Sequence, residues 1–154
     1  MIKFSASKPL LLPCKAQLQA PNNLDALSDI LAWFAQLQHP SISSTIWIRC
    51  QLALAEGFTN AVRHAHENLP PDITVDIEVD LSNDQILIRI WDQGPAFDLM
   101  EKMEKIPPQI DQNASGGRGL KLMRDIADSL SYVRQPDGRN CLSILKKYKP
   151  IPQE

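Results

Sequence analysis

Two alternating runs, set back to back between residues 73 and 92, leave the centre of this chain little conformational choice. Ile73, Val75, Ile77 and Val79 fall on one side of the first run, Ile86, Ile88 and Ile90 on one side of the second, and Ser82-Asn83-Asp84 between them is turn chemistry. A period of two places each apolar set on one face of an extended strand. The pair therefore predicts an antiparallel hairpin with one buried and one wet face. Such a hairpin is not stable alone in water and needs further strands or a helix on its apolar side.

The flanking sequence offers both. Residues 10–18 are strand-forming apart from Pro13. Asn22-Asn23 can cap a helix that carries Leu24, Leu27, Ile30, Leu31, Phe34 and Leu37 on one face and ends at Pro40. Ser43-Ser44 can cap a second, longer helix reaching about His66, with Trp47, Cys50, Leu54, Phe58, Ala61 and Ala65 at helical spacing. From Gly94 to Gly117 there are three prolines, scattered charge and no sustained period, which predicts a long loop over about residues 95–117, a length typical of lids. A helical stripe restarts at Leu120, Met123, Ile126 and Ala127, and strands are expected at 130–134 and 141–147 around a Gln135-Pro-Asp-Gly138-Arg turn. The order β-α-α-β-β-loop-α-β-β predicts an α+β two-layer sandwich, a mostly antiparallel sheet with helices on one face. At 154 residues the chain is expected to form a single domain.

Charge and cysteine usage narrow the function classes. Sixteen Lys and Arg against 18 Asp and Glu leave no global basic field, so direct nucleic-acid binding is not expected. No uncharged apolar stretch approaches the ~18 residues of a membrane span, and the start of the chain lacks a secretory pattern, so a cytoplasmic protein without a membrane segment is expected. Cys14, Cys50 and Cys141 are widely spaced and form no metal-ligand pattern, which fits reduced thiols packed as small core residues.

Three short segments carry the chemistry. On the second helix, Glu56, Asn60 and His64 recur one turn apart, drifting about 80° in all, away from the apolar face. A solvated helix face carries such stripes too, but a carboxylate and a carboxamide one turn apart also suit a general base beside a hard oxygen ligand for Mg²⁺. Asp92-Gln-Gly94 follows the hairpin directly: Asp92 is a candidate acceptor for an exocyclic amino group, and Gly94 would let a planar ligand approach the backbone. An ordinary Asx turn reads the same way. Gly116-Gly117-Arg118-Gly119-Leu120, ahead of a helical stripe, offers backbone amides and a helix N-terminus to an anion such as phosphate, although glycines there also relieve crowding.

In combination these segments resemble the serine-kinase anti-sigma factors, part of the GHKL ATP-binding superfamily with the Bergerat fold. Glu56-x-x-x-Asn60-Ala-x-x-His64 is similar to that family's N-box, Asp92-x-Gly94-x-x-Phe97-Asp98 to its first glycine box, and Gly117-Arg118-Gly119-Leu120 to its second; the likeness spans about residues 10–147. The resemblance implies ATP and Mg²⁺ as cofactors. Asn60 would hold Mg²⁺, Asp92 would take the adenine amino group and Gly94 would admit the base. Phe97 belongs to the same nucleotide-binding set, as do the amides of Gly116, Gly117, Arg118, Gly119 and Leu120, which would meet phosphates under the lid. Glu56 would be the base that activates the attacking hydroxyl.

The resemblance further implies a serine or threonine acceptor on a STAS-domain anti-anti-sigma protein, sequestration of a sigma factor, and a homodimer. A catalytically silent ATP-binding switch is the alternative. The ATP-binding module of a histidine kinase is a third reading, weakened by the absence of room for a dimerisation helix pair. Ala96 stands where the family commonly has a second glycine, and Lys121 where a glycine or apolar residue is commoner. His66 occupies a position where an aromatic residue is frequent, so a packing role is expected, while His64 is left without a role.

Overall fold

A computed structural model of the chain describes residues 10–104 and 118–153. Its strands are β1 (Cys14–Pro21), β2 (Thr74–Leu81), β3 (Gln85–Asp92), β4 (Ser129–Arg134) and β5 (Asn140–Lys147), joined in one sheet of order β1-β2-β3-β5-β4. Every neighbouring pair is antiparallel. The expected hairpin is β2-β3, in a register that sets Ile77 opposite Ile90, Val79 opposite Ile88 and Leu81 opposite Ile86. On its far side, Ile88 and Ile90 meet Ile144 and Leu142 of β5. Because side chains alternate, these residues form one apolar face, and all of them are essentially excluded from solvent.

Helices cover that face. A 3₁₀ turn at Leu24–Ala26 leads into α1 (Leu27–Ala35), and α2 (Ser44–Asn60) lies across the sheet. Both expected caps form: the Asn23 side chain accepts from the Asp25 amide at 2.9 Å, and Ser43 Oγ accepts from the Ile46 amide at 3.2 Å. Phe34 and Trp47 stack at 4.2 Å where α1 meets α2. Gly57 marks the closest approach of α2 to the sheet, since a Cβ there would lie 2.5 Å from Ile90 Cδ1 and 3.2 Å from Leu142. A further helix, α4 (Arg118–Ile126), packs beside α2 and buries Leu120, Met123 and Ile126 as the periodicity predicted. The opposite face of the sheet is wet and ionic: Glu78 takes Lys15 and Arg89, and Arg139 pairs with Asp76 at 2.8 Å while lying over the Trp91 ring.

Two features differ from expectation. The second helix does not run straight to His66: beyond Asn60 it widens into a π turn over Ala61–Ala65, closed by the His66 amide donating to Ala61 O, five residues back, at 2.9 Å. The stretch expected to be a loop contains a short helix, α3 (Leu99–Glu104). Asp98 Oδ1 accepts from the Glu101 amide at 2.8 Å, and Leu99 is buried, so one capping bond and one apolar anchor hold six residues that are too few to show a period. The signal was Asp98-x-x-Glu101, an acidic capping pattern. Residues 105–117, which include Gly116, Gly117 and most of the expected lid, lie outside the described residues.

Candidate functional site

The two helices that meet beside the sheet enclose an open cavity of about 600 Å³. From α2 and its π turn come Glu56, Asn60, Arg63 and His64; from α4 come Arg118, Gly119, Leu120 and Lys121. Half-buried Glu56 sits directly against α4, because any side chain at Gly119 would collide with its carboxylate. The small-residue requirement at Gly119 is therefore set by the proposed base itself. Leu120 borders the cavity with its side chain in the core, so toward a ligand it offers backbone. Lys121 Nζ pairs with Asp125 at 2.6 Å, one turn on, and stays at the cavity edge. Among the described residues no group of three or more His, Cys, Asp and Glu gathers at one point, so a cation here would meet one or two hard oxygens, such as those of Asn60 and Glu56.

Around the π turn lies a second cavity, about 540 Å³, bordered by His64, Ala65, Gln93, Gly94, Pro95 and Arg134. Here the need for glycine at position 94 is internal. A Cβ would lie 2.5 Å from the Ala65 carbonyl oxygen, so the strand end can pass the π turn only without a side chain. Asp92, next to it, is 3% exposed and densely bonded. Its Oδ1 accepts from the Gly94 amide and from Asn140 Nδ2, both at 2.9 Å, and its Oδ2 accepts from the Tyr132 hydroxyl. The Asx turn is thus real, and it is one part of a larger arrangement. Burial first, and then the facing Asp92 carboxylate, push the Tyr132 phenol well above its ordinary range, so it remains a donor.

Neither side-chain partner of Asp92, Tyr132 or Asn140, stood out in the sequence, yet the sheet aligns them. Asp92 lies opposite Asn140 on β5, and Asn140 lies opposite Arg134 on β4. Arg134 Nη1 donates to Gly94 O at 2.8 Å, and Asn140 Nδ2 also reaches Pro95 O at 3.1 Å. His66 secures the other side. Its Nε2 accepts from the Gln93 amide at 2.8 Å, and its Nδ1 faces Asn22 Oδ1 at 3.0 Å, which selects the neutral tautomer with the proton on Nδ1. Burial lowers the His66 pKa, with the Asp92 charge opposing. The aromatic-like packing role expected for His66 is met, and a specific hydrogen-bonding role is added. The only available signal was a polar residue, Asn140, at a strand position that proved fully buried.

Phe97 is 48% exposed, lies under the Lys102 ammonium and is absent from the lining of both cavities. The three thiols are free, and burial pushes Cys50 up to about 12, so none of this chemistry draws on a thiolate. Among the described residues no helix is long and apolar enough to cross a membrane.

A polar helix stripe and a glycine-bearing helix start around the first cavity, and a strand-end glycine on the second with Asp92 buried behind it, match a family of known sequence. Residues 20–146 fit the model of the histidine kinase-like ATPase domain. The chain belongs to that family. It is similar to the serine-protein kinase RsbW of Bacillus licheniformis, 32% identical over 85 residues that make up 52% of this chain and 53% of the relative. RsbW of Staphylococcus aureus is 32% identical over 91 residues, 56% and 57% of the two chains. The chain thus spans about half the length of the curated relatives it matches.

Solved structures agree on the fold alone. A chain in the crystal structure of the SiaB-SiaC complex from Pseudomonas aeruginosa superposes over 86% of this chain and 89% of its own, with TM-score 0.58 and 14% identity. The structure of the RsbU and RsbW domains of a Mycobacterium tuberculosis protein covers 89% of this chain and 32% of its own, with TM-score 0.57 and 12% identity.

Proposed function

We propose that this chain is an ATP-dependent protein serine/threonine kinase and anti-sigma factor, which phosphorylates a STAS-domain anti-anti-sigma protein and sequesters a sigma factor. The observation that carries the kinase reading is Glu56: a carboxylate at the cavity wall, one turn from the Asn60 carboxamide and against the first turn of α4. In this reading Asp92 takes the amino group of adenine, and Gly94 forms the edge past which the base enters. Asn60 would supply a protein oxygen for Mg²⁺, which would neutralise phosphate charge there. Arg118 and the amides of Gly119 and Leu120 face phosphates at the start of α4, an anion-favouring helix end. Gly116 and Gly117 belong to the same phosphate-binding set by the family resemblance, as does Phe97 to the nucleotide-binding set. The acceptor hydroxyl loses its proton to Glu56 as its oxygen bonds to the γ-phosphorus, and the bond from that phosphorus to ADP breaks. The names of the RsbW relatives and the family match support this reading.

The test is transfer of label from Mg²⁺ and γ-labelled ATP to a candidate STAS-domain protein. Labelled serine or threonine with wild type, lost with Glu56→Gln, is the expected result. ATP-dependent partner binding without transfer would replace the kinase by a silent switch. Phosphohistidine formed in trans would point instead to a histidine-kinase module.

A further inference from the structure

We propose that Tyr132 is a specificity-determining positioning residue: by donating to Asp92 Oδ2 while Asn140 and the Gly94 amide donate to Oδ1, it leaves the carboxylate a single acceptor position, suited to one N–H of a base's exocyclic amino group. The inference rests on reading Asp92 as the contact to the base. A carboxylate offers about four acceptor positions. Two at Oδ1 are taken by the Gly94 amide and Asn140 Nδ2, both at 2.9 Å, and one at Oδ2 is taken by the Tyr132 hydroxyl. One position on Oδ2 remains, and its direction is set by the phenol.

Three donors already converge on a group 3% exposed, so what the carboxylate still presents is an acceptor. A base bearing a carbonyl at that point meets a second acceptor and is repelled, whereas one bearing an amino group completes the set. Tyr132 is suited to the task because it stays protonated: burial and the Asp92 charge both resist its ionisation. Asn140 ties the carboxylate to the chain that follows it, since the same amide reaches Pro95 O at 3.1 Å and Arg134 takes Gly94 O at 2.8 Å. The acceptor, the glycine and the next carbonyl are thus held as one rigid unit by two strands that neither precede nor follow them directly.

The experiment compares the affinities of ATP and ITP, whose bases differ in carrying an amino group or a carbonyl at the same ring position. Displacement of a fluorescent ATP analogue reads both, so no phosphoacceptor is needed. Wild type is expected to favour ATP. Tyr132→Phe, which keeps the ring, is expected to cut the ATP/ITP ratio by about 3- to 10-fold, the worth of one hydrogen bond. Asn140→Leu is expected to cut it at least as far and to weaken both nucleotides. Tyr148→Phe serves as control, because it removes a hydroxyl that donates to Ser82 O, remote from Asp92, and should leave the ratio unchanged. A ratio retained within twofold in Tyr132→Phe overturns the inference while the ATP site stands. A wild-type protein that binds neither nucleotide, or binds both equally, overturns the reading of Asp92 on which it rests.

Discussion

The two ends of the site are built on opposite principles. Around Asp92 the polar atoms are densely bonded: Tyr132 and Arg134 of β4, Asn140 of β5 and His66 just beyond the π turn hold both Asp92 carboxylate oxygens, the Gln93 amide and Gly94 O. Around Glu56 and Asn60 the groups are half-exposed, stand on two helices, and border an open cavity. A buried polar network specifies one geometry, because any unmade bond in it is costly. A helix-borne site with water access tolerates rearrangement, as the entry of an acceptor and the exit of a product would require under the proposed function. The proposed function sets recognition on the sheet and chemistry on the helices.

Breaking the chemical end should give the largest effect. Glu56→Gln is expected to lower phosphoryl transfer by about 10²- to 10⁴-fold, the usual worth of a general base, while ATP affinity changes by less than about threefold. Single-turnover transfer and nucleotide titration measured on the same preparation separate the two. Equal losses in both would mean that Glu56 acts in binding.

One substitution made at two glycines sharpens the contrast. Gly119→Ala meets the far end of the flexible Glu56 side chain, so the fold should survive with less than about 1 kcal/mol lost, while transfer falls about 10- to 100-fold because the base is displaced. Gly94→Ala meets the Ala65 carbonyl, which is backbone and cannot step aside. It should cost about 1–3 kcal/mol of stability by chemical denaturation. If both variants lost stability alike, the division between a rigid end and a yielding end would be wrong.

The smallest effect is in pH. His66 is neutral in the fold and accepts the Gln93 amide, so its folded pKa lies below the ordinary 6.5. Below pH 6.5 the unfolded chain binds a proton that the folded chain resists, so stability is full above that pH and declines as pH falls toward the folded value. Unfolding midpoints between pH 7.5 and 5 should show that slope in wild type and lose His66's share of it in His66→Gln. A slope of the opposite sign would mean that the ring is charged in the fold.

What proved legible in the sequence was local. Ser43 and Asn23 capped the helices they precede, and the period of two along Ile86, Ile88 and Ile90 became a buried strand face. Leu120, Met123 and Ile126 became the inner face of α4. Each of these is decided by neighbours within about one turn or one pleat, where sterics and hydrogen bonding act directly on the chain. The α3 helix escaped because six residues are too few to repeat, and the π turn because an apolar helical pattern does not reveal one extra residue in its ladder.

Glu56, Asn60, Asp92 and Gly94 stood out as candidates by residue type and spacing, and the family resemblance gave them their expected roles. Their surroundings could not. Asn140 stands 48 residues from Asp92 and Tyr132 stands 40, and they meet only because β5 lies between β3 and β4 in the sheet. Strand order is a property of the whole packed layer, set by which apolar faces can be covered together, and no local pattern carries it. The sequence by itself determined the longer helices, the strands and the residue types that border the cavities. The tertiary structure alone decided that a tyrosine and an asparagine from the far hairpin would hold Asp92, because a buried carboxylate takes its partners from whatever the fold brings beside it.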